Sequence, residues 1–504
     1  MNNSRAFVFN TIAGIAMVMV STTNSFIVPK LTLGVYGMEI TGLVASITQL
    51  MAFFMLIEAG LSKAVTVNLY APMANKDYKA ASGILVASKR LYDKISVFFA
   101  TLVLGVAFIY PLIVRNSNVG YSTTFLLFII LGANGLLEFV AIKRYSVVLT
   151  ADNRVGVIQI AHTVRLALQC GLVSVLIYFR LPILIVEAAS IIIYIICPII
   201  LHLYCRKMYS RIDYSAPPNT EALANHYDAM VQPLTLVTQT SAPIVIATIL
   251  LPISEVGILS MYLIVVRGVD NILGVLSSTT SAFGQLYAQG ESERLYRAYG
   301  QFESLVCFLS AIVFSVMTVN FEPFMRLYSG STVSGLAFLC CVRGFTRNLR
   351  MPQDNMLNAI GWFRGTRRYM ITQTLIQITA SVLLGLKFGV LGIFIGDILS
   401  QVYRDLEIVI HIPKKVGFRI LPSISRWLVS VTCFSLIGFL LGRTNFLFPR
   451  IGSFGAWIEF SAFSLVLSTL IAGAAFMALD RRIYAKIFKV KVMPFARRLA
   501  GKLK

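Results

Sequence analysis

The sequence predicts an all-α, polytopic membrane protein with about 14 transmembrane helices. Of its 504 residues, 57% are hydrophobic and only 13% are charged, whereas soluble domains carry about 25% charged residues. Apolar runs of about 20 residues, the length that crosses the hydrocarbon layer of a bilayer, recur throughout the chain. Because a segment in lipid must satisfy its backbone hydrogen bonds internally, these runs are predicted to be helices.

The predicted spans follow one another closely, and the outer loops between them are short. The first run is too long and too polar at its end for a cleaved signal peptide, so we expect it to stay as the first helix. No outer loop could hold the large external domain of a membrane polymerase, ligase or glycosyltransferase, and the chain has no Walker A loop. The predicted spans are residues 8–28, 40–62, 95–114, 122–142, 155–178, 183–204, 229–251, 256–280, 301–320, 332–350, 369–388, 391–411, 426–442 and 454–478.

The basic residues indicate the orientation of these spans. The formal net charge of +22 would by itself suggest a nucleic-acid partner. If the N-terminus is inside, however, 35 of the 44 Lys and Arg residues fall in inner segments, counting the inner parts of spans, and 7 in outer loops, counting the outer end of one span. Since Lys and Arg concentrate in cytoplasmic loops, we predict cytoplasmic N- and C-termini and no nucleic-acid binding. Basic inner segments also attract anionic membrane lipids, and the basic tail and the loop of residues 63–94 are candidates for this.

Cysteine and histidine residues give no sign of a metal centre. The 7 cysteines lie in or beside apolar runs without C-x-x-C spacing, so we interpret them as small buried hydrophobic residues. The 4 histidines are too few and too scattered for a zinc motif. We therefore predict neither a metal nor a cofactor.

A weak internal repeat suggests how the spans are grouped. Val67–Ala71, after the second span, resembles Gly284–Ala288, after the eighth, at an offset of 217 residues. Six predicted helices separate the two segments, so the halves have the same orientation, as in the parallel repeats of some transporters. We predict an N-terminal lobe with its cytoplasmic linker over residues 1–228, a C-terminal lobe over residues 229–411, and two further helices with a basic cytoplasmic tail over residues 412–504.

Two arginines lie deep inside predicted spans. Arg165 is about 15 Å along the fifth span, close to the midplane, and it shares a helix face with Gln159 and His162. Arg267 is equally deep in the eighth span, and Asp270 follows it one turn later. A charge inside a span is costly unless it faces protein or water, and the planar guanidinium suits phosphate. We predict that the two arginines form a cationic chamber between the lobes.

Each candidate also has a purely structural interpretation. Arg267 could pair with Asp270 and fix helix packing, His162 is interpreted mainly as a polar packing residue, and Arg165 could have a partner on another helix. Glu58 and Glu138 lie near the inner ends of their spans, where their carboxylates can reach the headgroups. Arg343, with Arg347 and Arg350, either attracts an anionic headgroup or anchors the topology. The candidate substrate-binding residues are Arg165, Arg267, Asp270, Gln159, His162, Arg343, Asp397, Glu58 and Glu138; no residue is predicted to be catalytic.

Loose sequence patterns along the whole chain carry a family resemblance. They are Leu33–Gly37, Leu43–Gln49, Ile57–Leu61, Lys76–Tyr78, Ala151–Arg154, Met351–Pro352, Asn358–Gly361 and Gly389–Ile393. In these patterns the chain resembles the bacterial polysaccharide-transporter family, the Wzx-like O-antigen flippases of the superfamily that includes the MATE exporters. No motif of that family falls on Arg165 or Arg267, so their candidacy rests on depth and charge.

The resemblance implies a fold and an activity. The fold is two six-helix lobes plus two C-terminal helices. The activity is transfer of undecaprenyl-diphosphate-linked oligosaccharide across the bacterial cytoplasmic (inner) membrane by alternating access, for O-antigen, lipopolysaccharide or other surface polysaccharide biosynthesis. We therefore expect a transporter and no enzyme activity. Its expected partners are the lipid-linked oligosaccharide, membrane lipids and a polysaccharide polymerase or chain-length regulator, and the protein is expected to be a monomer.

Three other functions remain open from the residues. A MATE-type multidrug exporter coupled to H⁺ or Na⁺ would have an acidic and aromatic site, whereas the midplane charges here lean basic. A membrane enzyme of the same pathway would need a large outer loop. A scaffold for envelope synthesis would rarely need buried charges. The sequence identifies neither the glycan nor the driving ion.

Overall fold

The computed structural model describes residues 3–114, 118–213, 216–219, 231–443 and 452–480. These residues form seventeen α-helices, and no strand occurs among them. Ten helices within the described ranges are long and apolar enough to cross a bilayer. The predicted all-α polytopic membrane protein is therefore confirmed, while the count of fourteen spans stays a prediction. The basic tail from residue 481 and much of the 206–228 linker lie outside the described residues.

The chain divides into two compact units, and the first consists of Met1–Gly268 together with Ser381–Ile393. Compact packing thus continues past residue 228, and the lobe boundaries inferred from the repeat stay a prediction. The helices of this unit are α1 (Asn3–Phe54), α2 (Leu56–Ala74), α3 (Tyr78–Ile113), α4 (Tyr121–Leu137), α5 (Lys143–Ala151), α6 (Val155–Tyr178), α7 (Ile183–Tyr194), α8 (Ile196–Met208), α9 (Val231–Leu250) and most of α10 (Ile253–Gly274).

The second unit consists of Val269–Ala380 and Phe394–Lys504. Within it, Arg426 of α16 lies 2.8 Å from Glu303 of α12 and 2.9 Å from Asp480, directly after α17. This buried ion-pair cluster holds the last two helices onto α12. The helices are α11 (Thr280–Ala288), α12 (Ser292–Ser329), α13 (Leu336–Leu349), α14 (Met351–Ile360), most of α15 (Phe363–Val416), α16 (Leu421–Arg443) and α17 (Phe454–Leu479).

A glycine breaks each of the two longest helices. Gly37 in α1 has φ 80° and ψ −177°, and Gly389 in α15 has φ 61° and ψ −138°. Glycine adopts such angles without the steric penalty of a side chain. Twelve residues of straight helix measure about 18 Å, but the hydroxyl of Ser381 donates to the carbonyl of Ile393 over only 2.9 Å. The chain therefore turns back sharply at Gly389. Each break falls between two predicted spans. Helix α15 contains both of the spans that flank Gly389, whereas α1 contains the span before Gly37 and the first part of span 40–62, which continues in α2.

Helix α1 runs parallel to α6 along its first half. The Asn10 side chain accepts a hydrogen bond from the Gly156 backbone, 146 residues later. The Tyr36 hydroxyl donates to the Leu181 carbonyl, 145 residues later, near the other end of both helices. A constant offset over this length means that the two helices lie side by side in the same direction, which fixes the relative depth of their residues.

The second half of α1 crosses α10 at two glycines. A Cβ atom on Gly257 would lie 2.4 Å from the carbonyl oxygen of Met38, and one on Gly42 would lie 2.2 Å from that of Ile253. Only residues without a side chain allow two helix backbones to approach this closely. The crossing positions α10, and therefore Arg267, against α1.

Candidate functional site

A π-helical turn, Glu138–Ile142, connects α4 to α5, and such turns occur frequently at functional sites. Just after it, the Lys143 ammonium lies 3.9 Å from a carboxylate oxygen of Glu138 and 3.5 Å from one of Glu58 on α2. The Glu58 carboxylate also accepts a hydrogen bond from Ser62. One ammonium group therefore lies near two carboxylates. One of these, Glu58, is buried, with its side chain only 3% exposed.

Tyr194 connects these carboxylates to Arg165. Its hydroxyl donates a hydrogen bond of 2.7 Å to Glu138. Its ring lies under the guanidinium of Arg165, whose central carbon is 4.4 Å from the ring centre. An Arg stacked on an aromatic face gains a cation–π attraction and is held in a fixed plane. We call Glu58, Glu138, Lys143, Arg165 and Tyr194 the Glu138 network.

Arg165 keeps hydrogen-bonding capacity within this network. One of its terminal nitrogens donates to Gln169 over 3.1 Å. In the described part of the chain, no carboxylate lies within 4.0 Å of the guanidinium, and the Nε atom is buried without a hydrogen-bond partner. Buried polar groups in proteins are normally hydrogen-bonded. The guanidinium can therefore accept a further anionic or polar ligand.

Other polar atoms with no partner surround the same stretch of α1 and α6. Among the described residues, Thr22 Oγ1, Asn24 Oδ1 and Gln159 Oε1 are also buried without a hydrogen bond. Gln159 packs against Gly14, because a Cβ there would lie 3.1 Å from its amide nitrogen. His162 is partly buried one turn from Arg165. The sequence grouped Gln159, His162 and Arg165 on one face, and the structure adds Thr22 and Asn24 of α1, about 3–8 Å along the helix from the level of Arg165.

Arg267 is held from α1 by a neutral amide. Its guanidinium donates to Gln49 over 3.0 Å, and the same oxygen of Gln49 accepts from Ser241 of α9 over 3.0 Å. Gln49 is buried. This amide of α1 therefore positions the guanidinium of Arg267.

Both arginines lie at a similar depth along α1. The parallel offset of α1 and α6 places Arg165 within about 3–4.5 Å of the level of Thr22 by helical rise. Gly268, next to Arg267, packs at the same level, because a Cβ on it would lie 3.1 Å from Phe26 and 3.9 Å from Thr22. The first unit thus has two guanidiniums within about two helical turns of the same depth.

The remaining predicted residues lie in the second unit and form ion pairs. Asp270 accepts hydrogen bonds from Arg347 over 3.2 Å and from Asn348 over 2.9 Å. Arg343 pairs with Asp397. The Asp397 carboxylate also accepts from Gln377 over 3.0 Å. These pairs join α13 to α10 and α15.

Sequence reasoning missed Lys143, Tyr194 and Gln49. Lys143 was interpreted as a topology signal. It is five residues from Glu138, and residues at that spacing do not face each other on a regular α-helix. The π turn between them allows the contact, and no local sequence pattern predicts that turn. Tyr194 and Gln49 carry no charge, so the search for buried charges passed over them. A search for hydrogen-bonding side chains within predicted spans would have included both.

No protein-family model and no curated protein sequence matches the chain. Solved structures do. An inward-facing multidrug resistance MATE family transporter of the MOP superfamily aligns with a TM-score of 0.61 and 16% identity, over 84% of this chain and 98% of that one. The lipid II flippase MurJ in an inward closed conformation aligns with a TM-score of 0.58 and 11% identity, over 95% and 100%.

A third solved structure is a MOP superfamily transporter from Pyrococcus furiosus, described by the reversed polarity of its binding pocket. It aligns with a TM-score of 0.51 and 15% identity, over 85% of this chain and 95% of that one. All three alignments cover most of both chains at low identity. The chain therefore has the fold of the MOP-superfamily transporters.

Proposed function

We propose that the protein is a flippase that moves undecaprenyl-diphosphate-linked oligosaccharide across the bacterial cytoplasmic membrane by alternating access for surface polysaccharide biosynthesis. The proposal keeps the predicted lobes, the cytoplasmic termini, a monomeric protein, and a polymerase or chain-length regulator as partner. Its main support is the shared depth of Arg165 and Arg267 along α1, in a stretch with partnerless polar atoms.

The chemistry of the substrate fits these groups. A diphosphate has several anionic oxygens, and guanidinium groups bind them by charge-assisted, bidentate hydrogen bonds. The hydroxyl and amide oxygens of Thr22, Asn24 and Gln159 could accept from sugar hydroxyls or from ordered water. The polyprenyl tail needs no polar site, because it can stay in lipid. A structural neighbour described as a lipid II flippase also supports a lipid-linked substrate for this fold.

The Glu138 network would prepare Arg165 for this role. Lys143 lies between Glu58 and Glu138 and partly neutralises both. Tyr194 contacts Glu138 with its hydroxyl and Arg165 with its ring, so it keeps the cation close to the acid without a direct ion pair. A guanidinium held in this way has its plane fixed before the substrate arrives, which lowers the ordering cost of binding.

The decisive experiment measures lipid-linked oligosaccharide on each leaflet in a strain that lacks this gene. We expect the oligosaccharide to accumulate on the inner leaflet, and the wild-type gene to relieve this. Arg165→Ala and Arg267→Ala should not relieve it, whereas Arg326→Ala should, because Arg326 is exposed and pairs across one helical turn with the partly exposed Glu322. Equal rescue by all three variants, at equal protein levels, would contradict the proposed site.

A second candidate function is a MATE-type, cation-coupled multidrug exporter. The contact between Glu138 and Tyr194 favours it, because an acidic and aromatic pair suits an organic cation. The structural similarity to a MATE family transporter is compatible with it. Normal surface glycan in the deletion strain, together with increased sensitivity to cationic dyes, would select this function, provided that no second flippase substitutes.

A further inference from the structure

A basic cleft of about 400 Å³ opens among α3, α5 and the C-terminal end of α8. None of the candidate substrate-binding residues lines it. Its charged and polar lining includes Lys89, Arg144, Arg206, Tyr145, His202 and Ser210. Three helices thus each contribute a cation to one concave surface, at the end of the first unit that is predicted to face the cytoplasm.

The charges of the cleft are only partly balanced. Arg144 lies 3.0 Å from Asp93, whose side chain is 50% exposed. Such exposed pairs contribute little and exchange readily. In the described part of the chain neither Lys89 nor Arg206 has a carboxylate within 4.0 Å, and the Nε atom of Arg144 is buried without a hydrogen bond. Among the described residues, three cations against one carboxylate give the cleft a net positive charge.

Neutral hydrogen-bonding groups complete the lining. The hydroxyl of Tyr145 and the Nδ1 atom of His202 are 2.8 Å apart, and their rings meet edge to face at 5.6 Å. This contact fixes the His202 ring at the mouth of the cleft. The hydroxyl of Ser210 is exposed there as well. Cations that alternate with hydroxyl and imidazole groups form a good environment for phosphate oxygens.

An apolar track leads to the cleft along α8. Ile195, Ile199 and Leu203 follow at intervals of four residues, all exposed, and Arg206 continues the same face. In a bilayer such a face contacts acyl chains. A phosphate attached to hydrocarbon chains could therefore occupy the cleft and the track together, whereas a soluble phosphate compound would use only the cleft. Basic pockets between helices on the cytoplasmic side commonly bind anionic headgroups.

We propose that the cleft formed by Lys89, Arg144 and Arg206 binds a phosphate group, and that this phosphate belongs to an anionic phospholipid of the inner leaflet. The site is separate from the Glu138 network and does not depend on which substrate the protein transports. Bound lipid would bridge α3, α5 and α8, and would hold the ends of these helices together in an anionic membrane.

The test uses the full-length protein in neutral detergent, titrated with phosphatidylglycerol or phosphatidylcholine and followed by native mass spectrometry and thermal unfolding. The double variant Lys89→Gln/Arg206→Gln should bind phosphatidylglycerol about tenfold more weakly. The matched control is Arg90→Gln/Lys207→Gln. It removes the same charge from the neighbouring, exposed positions of the same two helices, which do not line the cleft, and it should bind like wild type.

The arms of the experiment separate the alternatives. Preference for phosphatidylglycerol over phosphatidylcholine, lost only in the cleft variant, supports the lipid site. Equal losses in both double variants would show attraction to net charge alone and would overturn the proposal. Inorganic phosphate or pyrophosphate that stabilises wild type as strongly as the lipid would overturn the lipid assignment. An unchanged far-ultraviolet circular dichroism spectrum shows that the cleft variant is folded.

Discussion

The guanidinium carbon of Arg165 lies 4.4 Å from the centre of the Tyr194 ring, and the hydroxyl of that ring donates to Glu138 over 2.7 Å. One side chain therefore makes two separable contacts. We expect Tyr194→Phe to keep the stacking under Arg165 and to lose about 1.5–3 kcal/mol of stability, the usual contribution of a hydrogen bond to a charged group.

Tyr194→Leu should lose both contacts. We expect thermal unfolding to show a similar or larger loss of stability, while transport, measured as lipid-linked oligosaccharide on each leaflet, should fall much further than in Tyr194→Phe. Both variants lack the hydroxyl, so the difference between them measures the effect of the aromatic ring alone. If the phenylalanine and leucine variants transport equally well, the stacking does not position Arg165.

Lys143 forms ion pairs with two carboxylates, so its removal should lower the stability of the protein substantially. In Lys143→Gln the buried Glu58 and its neighbour Glu138 lose their shared cation. Breaking a buried pair on one side costs about 3–5 kcal/mol, with the lower end expected here because Lys143 is 28% exposed. The double variant Lys143→Gln/Glu58→Gln should recover part of the loss in thermal unfolding. No recovery would show that Lys143 acts through something other than Glu58.

The last two helices should depend on Arg426. Its guanidinium lies 2.8 Å from Glu303, which is 0% exposed. Arg426→Leu should therefore destabilise the protein by about 3–5 kcal/mol, because the buried Glu303 would lose its cation. Arg443→Leu is the matched control on the same helix, since Arg443 is exposed and its guanidinium lies over the Phe439 ring. Equal unfolding temperatures for the two variants would contradict a structural role for the cluster.

The crossing of α1 and α10 should tolerate no side chain. Gly257→Ala places a Cβ within 2.4 Å of the Met38 carbonyl oxygen, and overpacking of this kind typically costs about 1–3 kcal/mol. Gly34→Ala and Gly274→Ala lie on the same two helices with no atom within 4 Å of the new Cβ. We expect only Gly257→Ala to lower the unfolding temperature in detergent. A wild-type value for that variant would mean that the helices separate at little cost.

Much of the fold could be predicted because it depends on local properties. The length and hydrophobicity of a run decide whether it can cross a bilayer, and both are present in consecutive residues. The depth of Arg165 in its span also follows from counting along a helix. The breaks at Gly37 and Gly389 lie between predicted spans, because the length of each apolar run also predicts where it ends. The sequence did not show that helix continues on both sides of each glycine.

The sequence by itself thus determined the helical membrane architecture, and it predicts deep positions for Arg165 and Arg267. The tertiary structure decided which charges meet. Asp270 is three residues from Arg267 in sequence, yet its carboxylate binds Arg347, 77 residues away. The π turn places Lys143 between the carboxylates of Glu58 and Glu138. Gln49, on α1, accepts a hydrogen bond from Arg267. These partners come from helices that are distant in sequence and packed together in the fold. A buried charge is costly without a partner, and the packing decides which group lies close enough to be that partner. No local sequence pattern contains this information.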